Sequence, residues 1–137
     1  MRKYLLDSTP IAAYLSQKPW ALRLIDAWLD QREAVTSILV YAEVMEYLRG
    51  RADFELRHEA LAVLLANALP VAVTAPVAER YGILRRQLRP PHGPGLIGDI
   101  DTLIAATALE FDLTLVTTDG DFGRVLDLKL LLLPRDG

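Results

Sequence analysis

Apolar residues along this chain fall into two kinds of run, one short and continuous, the other longer and spaced at three and four. The continuous runs are Tyr4-Leu5-Leu6, Ala34 to Ile38, Val71 to Thr74, Thr114 to Thr117 and Leu128 to Leu133. Each is too short for a helix and rich in aliphatic or β-branched residues, which predicts strands buried on both faces and therefore parallel. Helical spacing fills the intervals, at Ile11, Tyr14 and Leu15, at Trp20, Leu24 and Trp28, and from Leu39 to Leu48. It resumes from Phe54 to Leu69, at Val77, Tyr81, Leu84 and Leu88, and from Ile100 to Phe111. Punctuation agrees: Lys18-Pro19 parts the first two helices, Gly50 closes the third, Pro70 stops the fourth, Pro76 opens the fifth and Asp99 is placed to cap the sixth. Pro90 to Gly95 reads as loop, and a helical turn near Phe122 to Val125 precedes the last strand. Strands alternating with helices predict an α/β fold whose parallel sheet is covered on both faces.

Composition narrows the class. A chain of 137 residues, 52% hydrophobic and 24% charged, with no repeat or linker, is expected to form one domain over residues 1–137. No apolar run approaches the roughly 18 residues that cross a bilayer, so no membrane association is expected. The first apolar run meets Asp7 too soon to be the core of a signal peptide, and the absence of cysteine excludes disulfides and thiolate metal sites. A cytoplasmic setting is the resulting expectation. Net charge is −3, so a nucleic-acid partner would need a local basic patch rather than bulk charge.

The carboxylates carry the candidate chemistry. In an open parallel sheet, ligands gather beyond the carboxyl ends of the strands, where Asp7 and Asp119 both fall. Glu43 sits on a helix of mostly apolar residues, which offers a carboxylate no local partner, and Asp101 occupies the first turn of the sixth helix. Four such groups within about 6 Å would repel by roughly 3 kcal/mol per pair at an effective dielectric of 20. Protons or a divalent cation must relieve that repulsion, and all-oxygen donors suit Mg²⁺ or Mn²⁺ rather than Zn²⁺. Taken singly, each aspartate also has an ordinary reading, as a strand end, a helix start or a turn.

Four blocks carry a resemblance: Leu5-Leu6-Asp7-Ser8-Thr9, Tyr41-Ala42-Glu43, Ile97 to Leu109, and Leu115 to Phe122. The most specific parts are Asp-x-x-Ile-Ala-Ala from Asp101 and Thr-x-Asp-x-Asp-Phe from Thr117. Together the blocks resemble those of PIN-domain ribonucleases, specifically the VapC toxins of prokaryotic toxin-antitoxin pairs, over the whole chain. The resemblance implies a three-layer α/β/α sandwich around a parallel sheet of about five strands, and a Mg²⁺- or Mn²⁺-dependent endoribonuclease. It makes Asp7, Glu43, Asp101 and Asp119 the acidic quartet, with Asp121 a rival for the fourth place, Asp99 a rival for the third, and Thr9 at a supporting polar position. Asp7 and Asp101 are then assigned as direct metal ligands, and Glu43 and Asp119 as ligands through water or orienters of the attacking water.

Arg85, Arg86 and Arg89 could hold RNA phosphate beside the metal or simply form a solvated helix face, with Arg49 and Arg51 as a second candidate. The stripe of Trp20, Leu24 and Trp28 is read as core, or as a groove for a partner segment. The resemblance further implies a homodimer and a cognate antitoxin that covers the site, often placing an arginine among the carboxylates. The competing reading is a non-catalytic PIN-fold module that binds RNA or protein.

Overall fold

The computed structural model describes residues 1–135. Its elements run β1 (Tyr4–Leu6), α1 (Ser8–Leu15), α2 (Pro19–Asp30), β2 (Ala34–Ser37), α3 (Ile38–Arg49), α4 (Phe54–Asn67), β3 (Pro70–Val71), α5 (Ala75–Leu88), α6 (Asp99–Glu110), β4 (Thr114–Thr117) and β5 (Leu130–Leu132), with a 3₁₀ turn at Gly120–Arg124. The strands form one parallel sheet in the order β3-β2-β1-β4-β5, with helices on both faces, which is the expected α/β/α sandwich. β1 lies at its centre with Leu5 and Leu6 fully buried, and Leu115 and Val116 of β4 are equally enclosed beside it. A strand with no exposed face must be apolar throughout, which is why these runs do not alternate.

The chain first builds outward from β1 through β2 to β3, then crosses back through α5 and α6 to β4 on the other side of β1. Strand order therefore reverses between β1 and β4, and a crevice opens at their carboxyl ends. Register sets what faces what there. Leu6 pairs with Val116, so the next residues, Asp7 and Thr117, stand level. Leu5 pairs with Val35, and β2 turns directly into α3, where the Ser37 hydroxyl caps the helix by accepting from the Leu39 N–H at 3.0 Å.

Three expectations shift. The third strand shrinks from four residues to Pro70–Val71, because it is a sheet edge and Thr74 is instead used to cap α5, its Oγ1 accepting from the Val77 N–H at 3.4 Å. The fifth strand is Leu130–Leu132, shorter than its apolar run. Asp99 does not cap α6; Gly98 does, while the Asp99 carboxylate accepts from the Tyr81 hydroxyl at 3.0 Å and pairs with Arg85 at 3.3 Å. Among the described residues no helix is long and apolar enough to cross a membrane.

The loop leaving α5 turns back tightly on the helix end. Gly93 and Gly95 donate to the Arg89 and Leu88 carbonyls, each at 2.9 Å, and a Cβ on Gly93 would collide with the backbone of Gln87 and Leu88. Gly93→Ala is therefore expected to cost about 1–3 kcal/mol by overpacking, read as a fall of several degrees in melting temperature.

Candidate functional site

Asp7 leaves β1 at the crevice and is only 5% exposed. Thr117, level with it on the neighbouring strand, donates its hydroxyl hydrogen to Asp7 Oδ2 at 2.7 Å. The same hydroxyl oxygen accepts from the Asp119 N–H at 3.1 Å, so one threonine ties the ends of β1 and β4 together. Asp119 in turn accepts through Oδ1 from the Asp121 N–H at 2.9 Å and caps the 3₁₀ turn. Glu43 arrives from α3 and Asp101 from α6, two helices that pack against each other.

These carboxylates perturb one another. Burial is the main cause that raises the Asp7 pKa, opposed by the Thr117 hydroxyl and the Ser8 backbone N–H and reinforced by the charge of Asp119. Burial also pushes Glu43 up to about 6, with the charges of Asp7 and Asp101 adding to it and the Ser8 hydroxyl working against it. Asp101 is likewise pushed up to about 6, first by burial, then by the charges of Asp7, Asp119 and Asp121. Glu43 and Asp101 thus both register the charge of Asp7, as expected where acids gather at one crevice.

One oxygen of Asp7, Oδ1, and one of Glu43, Oε1, are buried with no hydrogen-bond partner among the described residues. A buried anionic oxygen left unpaired is costly and seldom found without a ligand to explain it. Among the described residues, no three His, Asp or Glu side chains already stand close enough to cage an ion. The donor set still suits a hard divalent cation: it is all oxygen and, among the described residues, it carries two orphaned buried acceptors.

The other candidates separate. Asp121 is exposed and lies 3.6 Å from Arg124, and Asp99 faces α5 rather than the crevice. Thr9, exposed in the first turn of α1, shares a 2.8 Å hydrogen bond with Thr118. The arginines do not act as one cluster: Arg85 is held by the Ile97 carbonyl at 3.1 Å and by Asp99, while Arg86 and Arg89 remain exposed. Arg49 lies over the Phe54 ring at 4.3 Å, and Arg51 pairs with Asp53 at 2.9 Å. The tryptophan stripe also divides, with Trp28 buried and stacked on Tyr4 at 4.1 Å, but Trp20 only partly covered. Sequence reading passed over Thr117 and Ser8 as site residues. Their signal was present, since each is a hydroxyl residue directly beside or two before an acid at a strand end.

Against known proteins, the sequence matches the family described as PIN domain over residues 4–127. The structure superposes on a chain of VapBC2 from Rickettsia felis, bound to a DNA fragment from its promoter, with a TM-score of 0.83 and 22% identity, covering 95% of this chain and 98% of that one. For VapBC-1 from nontypeable Haemophilus influenzae the values are 0.76 and 26%, with 94% and 96% covered. For FitAcB from Neisseria gonorrhoeae they are 0.73 and 25%, with 98% and 99% covered. The search among curated proteins found no match. With the matched sequence spanning nearly all the described residues and the fold shared from end to end, the chain belongs to the PIN-domain family.

Proposed function

We propose that this chain is a metal-dependent endoribonuclease, the toxin of a type II toxin-antitoxin pair, hydrolysing RNA phosphodiester bonds at the pocket of Asp7, Glu43, Asp101 and Asp119. The observation that carries this reading is Asp7 at the head of the central strand, nearly buried, with one oxygen fixed by Thr117 and the other free of any partner. Such an oxygen is held ready for a cation, and its neighbours supply further oxygens.

When bound, Mg²⁺ or Mn²⁺ would polarise the phosphodiester and lower the pKa of an attacking water. Asp7 Oδ1 and Asp101 would hold the ion, and the Thr117 hydroxyl keeps Asp7 from swinging away. Glu43, with a pKa near 6, is suited to take the proton of the water through its unpaired Oε1 as the water oxygen bonds to phosphorus and the ester P–O bond breaks. Asp119, fixed by backbone and hydroxyl contacts, would orient that water, with exposed Asp121 as the second acid of the same turn. Thr9 would support this edge through Thr118, and Arg86 and Arg89 could meet RNA phosphate.

The toxin role draws on the VapBC complexes that share the fold. A cognate antitoxin could neutralise the pocket by placing a guanidinium where the cation sits, and a homodimer would pair two such sites. The whole chain is taken to act as a single PIN-like domain in a cytoplasmic setting. The competing reading is a non-catalytic module that binds RNA or protein. Incubation with single-stranded and structured RNA decides between them. Cleavage is expected with Mg²⁺ or Mn²⁺ and is expected to stop with EDTA; intact RNA under every metal condition would exclude the nuclease.

A further inference from the structure

We infer that the cavity between α1, the start of α2 and Tyr47 of α3 is a nucleobase subsite, which receives a nucleotide flanking the bond to be cut. The inference rests on the nuclease reading and extends it to how the RNA strand is seated.

The cavity has a volume of about 370 Å³, within the range of about 300–1,000 Å³ usual for small-ligand sites. It is linked to the acidic pocket through Thr118. Thr9 and Thr118 form part of its wall, and they are the pair joined by a 2.8 Å hydrogen bond. Thr118 lies in the chain between Thr117, which holds Asp7, and Asp119. On this inference, a strand whose phosphate sits over the carboxylates would place a flanking nucleotide at this opening.

The lining is of the right chemistry. Trp20 and Tyr47 supply two aromatic groups, and the buried indole N–H of Trp20 has no acceptor among the described residues. Tyr47 is 43% exposed, and Arg51 reaches over it, donating to its hydroxyl at 3.0 Å with the guanidinium 5.6 Å from the ring centroid. Lys18 and Arg135 add positive charge to the wall, and among the described residues no acid lines it. The contrast with the cavity between α1, α2 and α4, lined by Asp26 and Asp30, is plain. In a protein of net charge −3 whose cutting site is itself acidic, this is where a polyanion meets cations and stacking faces together. Aromatic faces with flanking cations are the common means of holding single-stranded nucleic acid, because every base has a face to stack.

Trp20 shares helical spacing with Trp28, but Trp28 is buried and stacked on Tyr4, whereas Trp20 is only partly covered and lines the cavity.

The test measures binding of a fluorescently labelled single-stranded RNA of about ten nucleotides and mixed sequence in EDTA, so that nothing is cut. Trp20→Ala is expected to weaken binding by about 5- to 100-fold, and Trp20→Phe to recover part of the loss. Lys18→Ala, at an exposed position that folding does not need, is expected to lower the slope of log affinity against log salt by about 0.7. With Mn²⁺ restored, Trp20→Ala should raise KM more than it lowers kcat. Affinity within about twofold of wild type for both Trp20→Ala and Lys18→Ala, or a loss confined to binding of a protein partner, would overturn the subsite. Asp7→Asn separates the two readings. Cleavage that needs Asp7 but ignores Trp20 leaves the nuclease standing without the subsite, whereas RNA bound through Trp20 but never cut leaves the subsite without the nuclease.

Discussion

Asp7→Asn is expected to abolish metal-dependent RNA cleavage, by on the order of 10³-fold or more, while raising the melting temperature of the metal-free protein. The two effects share one cause. Asp7 is enclosed at the end of β1, burial opposes its ionisation, and Oδ1 has no partner. An asparagine of the same shape keeps the Thr117 bond through its carbonyl oxygen and turns an N–H₂ toward the surrounding carboxylates, replacing repulsion by donation. Relief of a buried, half-satisfied charge is worth about 1 kcal/mol or more, a shift of several degrees for a chain of this size. The stabilising effect of added Mn²⁺ on wild type, about 2.7 kcal/mol at a hundredfold excess over Kd, should vanish in the variant. Thermal melts with and without Mn²⁺, beside a cleavage assay, check both halves. A variant that still cuts RNA, or that melts lower than wild type in EDTA, would remove Asp7 from the centre of the mechanism.

If the proposed cleavage occurs at this pocket, acid should silence it well above the usual carboxylate range. Burial and neighbouring charge push Glu43 and Asp101 both up to about 6, and in the proposed mechanism both must be ionised to accept a metal or a proton. At subsaturating Mn²⁺, log activity is expected to rise from pH 5 to 7, approaching a slope of two below pH 6 and flattening above it, as the two coupled groups deprotonate. Stability of the metal-free protein should run the other way. In the folded state these groups hold protons up to about pH 6, whereas unfolded they release them between about 4 and 4.5. Across that window the native state binds more protons than the unfolded one, so its stability falls as pH rises through it. Each group is partly open to solvent, which trims its contribution to about 1 kcal/mol. Melts in EDTA at pH 5 and 7, for wild type and for Glu43→Gln/Asp101→Asn, isolate the effect, because the double variant should lose the pH 5 advantage. A cleavage profile that is flat from pH 5 to 7 would mean that neither carboxylate titrates in the working site.

The acid pocket also explains why α3 and α6 carry carboxylates on surfaces they turn toward each other. Val40, Val44 and Leu48 anchor α3, and Ile104, Ala105 and Ala108 anchor α6, each set fully or almost fully buried. The small residues of α6 let it lie close to the sheet, which brings Asp101, one turn earlier, to the mouth of the crevice. Glu43 lies near enough to register the charges of both Asp101 and Asp7.

Read along the chain alone, the strand runs and helical spacings located every element, because a two-sided strand and an amphipathic helix write their burial into local sequence. The order of hydrophobic runs sufficed for a parallel α/β sheet, and acids directly after apolar strands already marked Asp7 and Asp119 as the places where chemistry could sit. Periodicity cannot say what a face will meet. Only the packed sheet, with β1 beside β4, set Thr117 level with Asp7, and only the packing of α5 on α6 drew Asp99 and Arg85 into each other and away from the crevice. The same limit hid the different fates of Trp20 and Trp28, equal in pattern but two turns apart, one lining a cavity and the other stacked on Tyr4 in the core. Contacts between residues more than a hundred positions apart are decided by strand order and register, and these exist only once the whole chain has folded.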